Sequence, residues 1–471
     1  MLPKFQIKLQ DDMFKKALLK GFLNFITKYF QCSVEYYIPT NKEWSSLSKH
    51  FEKCDSRYIM AEEVLKNVLE WCFKNTNIIE AKDNEYHGDR LIHYAASNGH
   101  VSVLKQLLEK GVSPDLKNDR GLTPLHHASL NEDGHNEVAK LLLQKGADPN
   151  SLSRDKNTPI YFATETGNAE IVKLLIQNGA NVNSLNKDNT TPLHVAAALG
   201  DLEISKMLIE NGANVESSDE EDWTPLHFAS LNGHLEVVKL QLEFGANIEC
   251  QTKIMQWMPI FQAIENGHVE IVQFLLQKGT NVNCLSKSKN TPLHNASKLG
   301  HSKIVEMLIQ NRSNLNSENG KRNTPLHLAS EFGQSEVVKI LLERNICLTL
   351  KNNAGKTAIE VAKEKNHKKI YRMIYEKIVE SMSSKGNSTQ CSNDECQREM
   401  KRLILDKVDD AFSPNDGKTC VVCFEEKNGT FALLPCGHAK TCQKCCDKIV
   451  RETKKCPLCR ENVSKYQKIY D

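Results

Sequence analysis

Apolar and polar positions through the middle of the chain follow one pattern that returns about every 33 residues. Each period opens on Thr-Pro, runs through a short apolar stretch, and continues into a stripe such as Val237-Val238-x-Leu240-x-Leu242. That spacing predicts two short helices per period, the second with its apolar face turned to a neighbour. Proline suits the first turn of a helix, where its missing N–H loses no bond. Glycines such as Gly212 and Gly245 suit the left-handed end of the second helix. One helix pair cannot bury its own apolar face, so stability has to come from stacking on the next.

The repeated opening is Thr123-Pro-Leu-His126, Thr191-Pro-Leu-His194, Thr224-Pro-Leu-His227, Thr291-Pro-Leu-His294 and Thr324-Pro-Leu-His327. Weaker copies fill the gaps at Arg90–His93, Thr158–Tyr161, Met258–Phe261 and Thr357–Glu360. The pattern resembles the ankyrin repeat over residues 60–375, about nine units preceded by a degenerate one around Ala61–Trp71. The resemblance implies a mainly α solenoid of helix pairs and hairpin loops that presents a concave surface to another protein. The regularly placed histidines are expected to bond one repeat to the next, not to act as ligands or bases. Two irregularities interrupt the period: two extra residues near Glu132-Asp133 in repeat two, and one near Ile254-Met255 in repeat six. The polar helix Lys363–Arg372 suits a water-facing end of the array.

Ahead of the array, residues 1–59 contain an amphipathic helix from Phe14 to Phe30 with lysines on one side. Packing on the array's end and a membrane-surface role are the two readings. Asp11, Asp12 and the absence of arginine in that segment argue against a transit peptide. Residues 376–414 form a Ser-, Asn- and Gly-rich linker with a short helix at Glu399–Phe412. Cys391 and Cys396 lack a matching second pair and are taken as ordinary thiols.

Residues 415–471 carry the chemistry. Cys420, Cys423, Cys436, His438, Cys442, Cys445, Cys456 and Cys459 supply eight thiolate or imidazole donors, enough to close two tetrahedral zinc sites with no position left for substrate. Such zinc is structural. A nucleic-acid-binding ribbon would lack the central Cys-x-His, and a PHD-type finger would place its histidine fifth and a tryptophan near the last pair. With the histidine fourth and a Cys456-Pro-Leu-Cys459-Arg460 ending, the segment resembles the RING finger, a small α+β domain of many ubiquitin ligases. The resemblance implies interleaved sites, one held by Cys420, Cys423, Cys442 and Cys445, the other by Cys436, His438, Cys456 and Cys459. Cys446 is expected to be a spectator.

The same resemblance implies an apolar groove for a ubiquitin-conjugating enzyme at Val422, Ile449 and Pro457, with Arg460 bridging enzyme and ubiquitin. A tail with Val463, Tyr466, Ile469 and Tyr470 resembles those of dimeric RINGs in the inhibitor-of-apoptosis and mind-bomb-like ligases, which implies RING homodimers; a frayed terminus is the other reading.

Composition narrows the rest. A net charge of +2 with mixed signs gives no reason to expect nucleic acid, and no stretch is apolar for the length of a bilayer span. Sixteen cysteines, seven of them in the zinc pattern and the others scattered, fit a reducing compartment, the cytoplasm or nucleus, rather than a disulfide scaffold. Positions that break the repeat pattern mark a client surface: Trp223 with Glu221 in repeat five, Trp257 with Met255 in repeat six. The chain is therefore expected to be a RING-type ubiquitin transferase that carries no covalent ubiquitin and recruits an unidentified protein through its array. A non-catalytic scaffold is the alternative.

Overall fold

The computed structural model describes residues 88–131, 135–383, 399, 403, 430–434, 438–441 and 465–470. The amphipathic Phe14–Phe30 segment, the degenerate repeat, the insertion at Glu132-Asp133, Cys391 and Cys396 lie outside them. The chain divides into two units, Met1–Asn247 and Ile248–Asp471.

Among the described residues the first unit holds five helix pairs. They are α1 (Leu91–Ser97) with α2 (Val101–Glu109), α3 (Pro124–Ser129) with α4 (Asn136–Gln144), and α5 (Pro159–Glu165) with α6 (Ala169–Gln177). The last two are α7 (Pro192–Leu199) with α8 (Leu202–Glu210), and α9 (Pro225–Asn232) with α10 (Leu235–Glu243). First helices stack on first helices and second on second, so each repeat closes its neighbour's apolar face. Leu107, Leu142, Leu175 and Leu208 recur at one position of the second helix and form the spine of that core.

Four pairs follow in the second unit. They are α11 (Pro259–Glu265) with α12 (Val269–Gln277), α13 (Pro292–Leu299) with α14 (Ser302–Gln310), α15 (Pro325–Glu331) with α16 (Ser335–Leu342), and α17 (Ala358–Glu364) with α18 (Lys368–Ser383). The expected helix Lys363–Arg372 is not one element, since Lys363 and Glu364 end α17 and α18 starts at Lys368, and α18 differs from the expectation on two further counts. It runs on to Ser383 rather than stopping near 375, so the linker begins later. It also buries Ile370, Tyr371, Ile374 and Ile378, and only its other face, with Lys369 and Arg372 in ion pairs, is the polar surface read from the sequence.

The histidines behave as expected. Thr123, Thr191, Thr291 and Thr324 cap their helices, and each threonine N–H donates to the histidine Nδ1 at 3.0, 3.1, 3.1 and 3.2 Å. Because Nδ1 accepts, the ring proton sits on Nε2. From there it donates to a carbonyl of the next repeat: His126 to Asn157 at 3.1 Å, His194 to Trp223 at 3.0 Å, His294 to Asn323 at 2.9 Å and His327 to Lys356 at 3.0 Å. One motif thus caps a helix and fastens two repeats. In the last repeat Glu360 takes the capping role, accepting from the Thr357 N–H at 2.8 Å.

The expected stripe in α10 needs one correction. Val237, Val238 and Leu240 are buried, but Gln241, not Leu242, completes the buried face. Beyond the array, β1 (Thr430–Leu434), β2 (His438–Thr441) and β3 (Lys465–Tyr470) form an antiparallel sheet in the order β2-β1-β3.

Candidate functional site

The hairpins that join one repeat to the next are built on a short polar side chain four residues ahead of the Thr-Pro opening's neighbour. In repeat five Asp219 accepts the N–H groups of Glu221 at 2.9 Å and Trp223 at 2.8 Å. Asn118, Asn186, Asn319 and Asn352 do the same in their own repeats. These local side-chain-to-backbone bonds pre-form the turn and aim the residues between them outward. From the sequence Asp219 reads only as one of the acids flanking Trp223, although an Asx residue at this fixed offset is the signal that marks its turn role.

Asp219 leaves Glu220, Glu221 and Asp222 exposed. Trp223 is half-buried, its ring 5.2 Å from Phe228 and 5.9 Å from His227 on the first helix of its own repeat. Phe228 in turn meets His194 edge-on at 5.8 Å. Burial pushes His194 below the usual imidazole range, so its ring is uncharged at neutral pH.

Trp257 and Met255 belong to the second unit. Trp257 is half-buried and its ring stacks on Phe261 at 6.1 Å, while Ile254 and Met255 are 56% and 45% exposed. The extra residue of repeat six is absorbed here. Lys156, Asp222 and Lys289 bond back three residues in their turns, whereas the Gln256 N–H reaches the Thr252 carbonyl four residues back at 2.9 Å. The wider turn carries Ile254 and Met255 into solvent without disturbing the closing bond from the Thr252 N–H to the Trp257 carbonyl at 3.0 Å. Both tryptophans therefore lie against their own repeats with part of each ring surface open.

In the zinc-finger segment the structure places His438 at the head of β2, in register with Leu433 of β1. The other seven candidate ligands, together with Val422, Ile449, Pro457, Arg460 and Val463, lie outside the described residues. Among the described residues no three His, Cys, Asp or Glu side chains converge as a metal site. The donor set itself fits zinc: thiolates with one imidazole are the ligands a borderline-soft d¹⁰ cation takes in closed tetrahedral sites. Tyr466 and Tyr470 pair with Leu433 and Thr430, and Ile469 falls at the irregularity in that ladder. The tail is thus a strand of the sheet rather than a frayed end. No helix among the described residues is long and apolar enough to cross a membrane.

Comparison with known proteins agrees with both halves. The ankyrin-repeat family (three copies) matches residues 59–153, 132–219, 162–252, 226–319 and 293–384. The C3HC4-type zinc finger (RING finger) matches residues 416–466. The E3 ubiquitin-protein ligase SPL2 of Arabidopsis thaliana is 32% identical over 16% of this chain and 19% of its own length. The cell growth regulator with RING finger domain protein 1 of Mus musculus is 40% identical over 17% of this chain and 25% of its own. The E3 ubiquitin-protein ligase NEURL3 of Rattus norvegicus is 43% identical over 9% and 17%. The chain thus spans a quarter or less of each of these relatives. The human ASB11 ankyrin repeat domain aligns with 47% of this chain and 98% of that one at 28% identity and a TM-score of 0.44.

Proposed function

From a chain that belongs to the ankyrin-repeat family and carries a C-terminal RING-type zinc finger, we propose a RING-type ubiquitin-protein ligase whose array captures a protein client. The observation that carries this reading is the RING match over residues 416–466, reinforced by ligase relatives alike in that region.

The RING segment needs no nucleophile of its own. A ubiquitin-conjugating enzyme brings ubiquitin as a thioester, and the finger holds that conjugate in its reactive arrangement while a client lysine attacks. The rate gain comes from proximity and from selecting one conformation. Val422, Ile449 and Pro457 would offer the enzyme an apolar groove. Arg460 would bridge enzyme and ubiquitin, a role suited to a planar fork of fixed donors that lysine does not reproduce. Two structural zinc ions, one on Cys420, Cys423, Cys442 and Cys445 and one on Cys436, His438, Cys456 and Cys459, would hold that surface in shape.

Among the described residues strand β3 lies at one edge of its sheet, which leaves a row of backbone groups able to pair with a second copy and supports RING homodimers. Trp223 with Glu221, and Trp257 with Met255, are the proposed client contacts on the array, because part-open aromatic rings bind at low entropic cost. Cys250, Cys284 and Cys347 are not in disulfides, which suits a reducing location, cytoplasmic or nuclear. Burial pushes the Cys284 thiol up to about 12, which leaves it inert as a nucleophile.

The test is discharge of ubiquitin from a preloaded conjugating enzyme to free lysine, with the full zinc-loaded chain and a panel of such enzymes. Acceleration by the wild type that Arg460→Ala and Val422→Ala each abolish is the expected result. No acceleration with any enzyme, from a protein shown to hold zinc, would leave a non-catalytic scaffold.

A further inference from the structure

The hairpins of repeats six to nine are each net positive. Residues 251–257, 285–290, 318–323 and 350–356 contain seven lysines and arginines and a single acid, Glu318. In the first unit, by contrast, the hairpin of repeat five reads Asp219-Glu220-Glu221-Asp222.

The four basic hairpins form one continuous edge. The Lys287 N–H donates to the Met255 carbonyl at 3.0 Å, Gly320 to Ser288 at 2.9 Å, and Asn353 to Lys321 at 3.0 Å. Each tip is therefore held in register with the next by a backbone bond, and the side chains at the tips are displayed on a fixed support.

Some of the positive charge is already answered. Arg322 is held by Glu318 at 2.9 and 3.2 Å, and Lys356 by Glu364 at 2.8 Å. Lys287, Lys289 and Lys321 are exposed and form no ion pair among the described residues. Lys289 sits at a φ of 57°, where repeat nine uses Gly355 at 70°. Lys156, Asn189, Asp222, Gln256 and Arg322 hold the same tip position in their repeats, so the turn fixes where the Lys289 side chain is displayed.

One end of the edge shows what kind of segment it accepts. Glu399, from the stretch that follows the array, places its carboxylate 3.0 Å from Lys351 with its side chain only 16% exposed. Leu403, four residues further on, is 1% exposed. The chain's own segment meets the basic edge with an acid and buries an aliphatic side chain four residues later. At the other end of the edge, exposed Ile254 and Met255 supply apolar surface that has no cover among the described residues.

We propose that this edge is a docking surface for an acidic, apolar-bearing segment of a protein partner. Its carboxylates would meet Lys287, Lys289 and Lys321, and an aliphatic side chain would cover Ile254 and Met255. The proposal rests on the reading of the array as the client-capturing half, and it names the chemistry of that client. A carboxylate is the group seen against the edge, and the apolar end has no counterpart in a phosphate backbone. Both features favour a protein segment over a nucleic acid.

The experiment is fluorescence anisotropy on the full zinc-loaded chain. The probe is a labelled helical peptide with glutamate and leucine spaced as Glu399 and Leu403 are, alongside a glutamine-for-glutamate peptide and labelled single- and double-stranded oligonucleotides. The acidic peptide should bind, weaken with added salt, and lose about tenfold in affinity on Lys287→Glu, Lys289→Glu and Lys321→Glu together. Lys287→Gln, Lys289→Gln and Lys321→Gln together should give a smaller loss, with thermal melts showing both variants folded. An affinity unmoved by the reversal, equal binding of the glutamine peptide, or capture of the oligonucleotides in place of the peptide overturns the proposal. Discharge to free lysine, run on the same wild-type preparation, is read separately. Its absence removes the ligase reading without bearing on the peptide result.

Discussion

Single residues decide how firmly the repeats are joined. His93, His126 and His294 are buried, and loss of water pushes each down to about 4 from an ordinary imidazole value near 6.5. An unfolded chain takes up these protons at a higher pH than the folded one does. Stability is therefore full above pH 6.5 and falls as the pH drops from 6.5 to about 4, by roughly 2 kcal/mol per histidine at pH 5. Guanidinium unfolding at pH 7 and pH 5 reads this directly, and a midpoint that does not fall would mean the rings are not held neutral. Gln241 makes the opposite kind of prediction. It is 0% exposed, neither atom of its amide has a partner, and Leu142, Leu175 and Leu208 hold the equivalent place in other repeats. Gln241→Leu should stabilise the array by ~1–3 kcal/mol, measured as a higher unfolding midpoint; a lower one would mean the amide is satisfied in solution. The Thr–His pairs were legible in the sequence because they recur. Gln241 was not, because the apolar stripe was drawn one residue away at Leu242, and a polar side chain on a buried face has no periodic signal.

At the scale of one element, the hairpin is set by two local features, the Asx or Ser side chain that accepts the turn's N–H groups and the left-handed residue at its tip. Gly121 and Gly355 take that tip position at φ of 76° and 70°, whereas Lys156, Asn189, Asp222, Gln256, Lys289 and Arg322 hold it with a side chain attached. Lys156 has no role in the proposed docking edge, so Lys156→Gly removes the strain at little cost. It should raise stability by about 1 kcal/mol, and a fall in the unfolding midpoint would show that the lysine side chain contributes more than its backbone strain costs. A glycine elsewhere is not interchangeable in this way. Gly200 ends α7 in the left-handed region, and a Cβ there would strike the ring of His234, whose Nε2 reaches the Ala198 carbonyl at 3.1 Å. Gly200→Ala should therefore destabilise by more than 1 kcal/mol, from strain and lost contact together. The one-residue insertion in repeat six was visible in the sequence as a break in period. Its consequence, a turn closed over four residues that lifts Ile254 and Met255 outward, required the backbone path.

For the whole molecule, the two halves draw their stability from different sources, and this separates their responses. The array is held by repeat-to-repeat burial and by bonds such as those of His194 and His294, none of which involves a metal. The RING segment is too short for a sufficient apolar core, and in zinc-finger peptides the metal supplies ~10–16 kcal/mol of folding free energy. The RING segment was legible because ligand chemistry constrains spacing. The last helix was misjudged because Lys368, Lys369 and Arg372 dominate its start, while Ile370, Ile374 and Ile378 place an apolar residue at every fourth position on its other face. That face continues the packing beyond 375, so the array ends at the close of α18. A chelator strong enough to strip zinc should therefore abolish ubiquitin discharge while leaving the far-ultraviolet helical signal and the array's unfolding midpoint nearly unchanged. Restoring zinc should return the activity. Loss of the array's transition along with the metal would mean that the two halves fold as one cooperative body, and the assignment of metal-dependent stability to residues 415–471 alone would have to be abandoned.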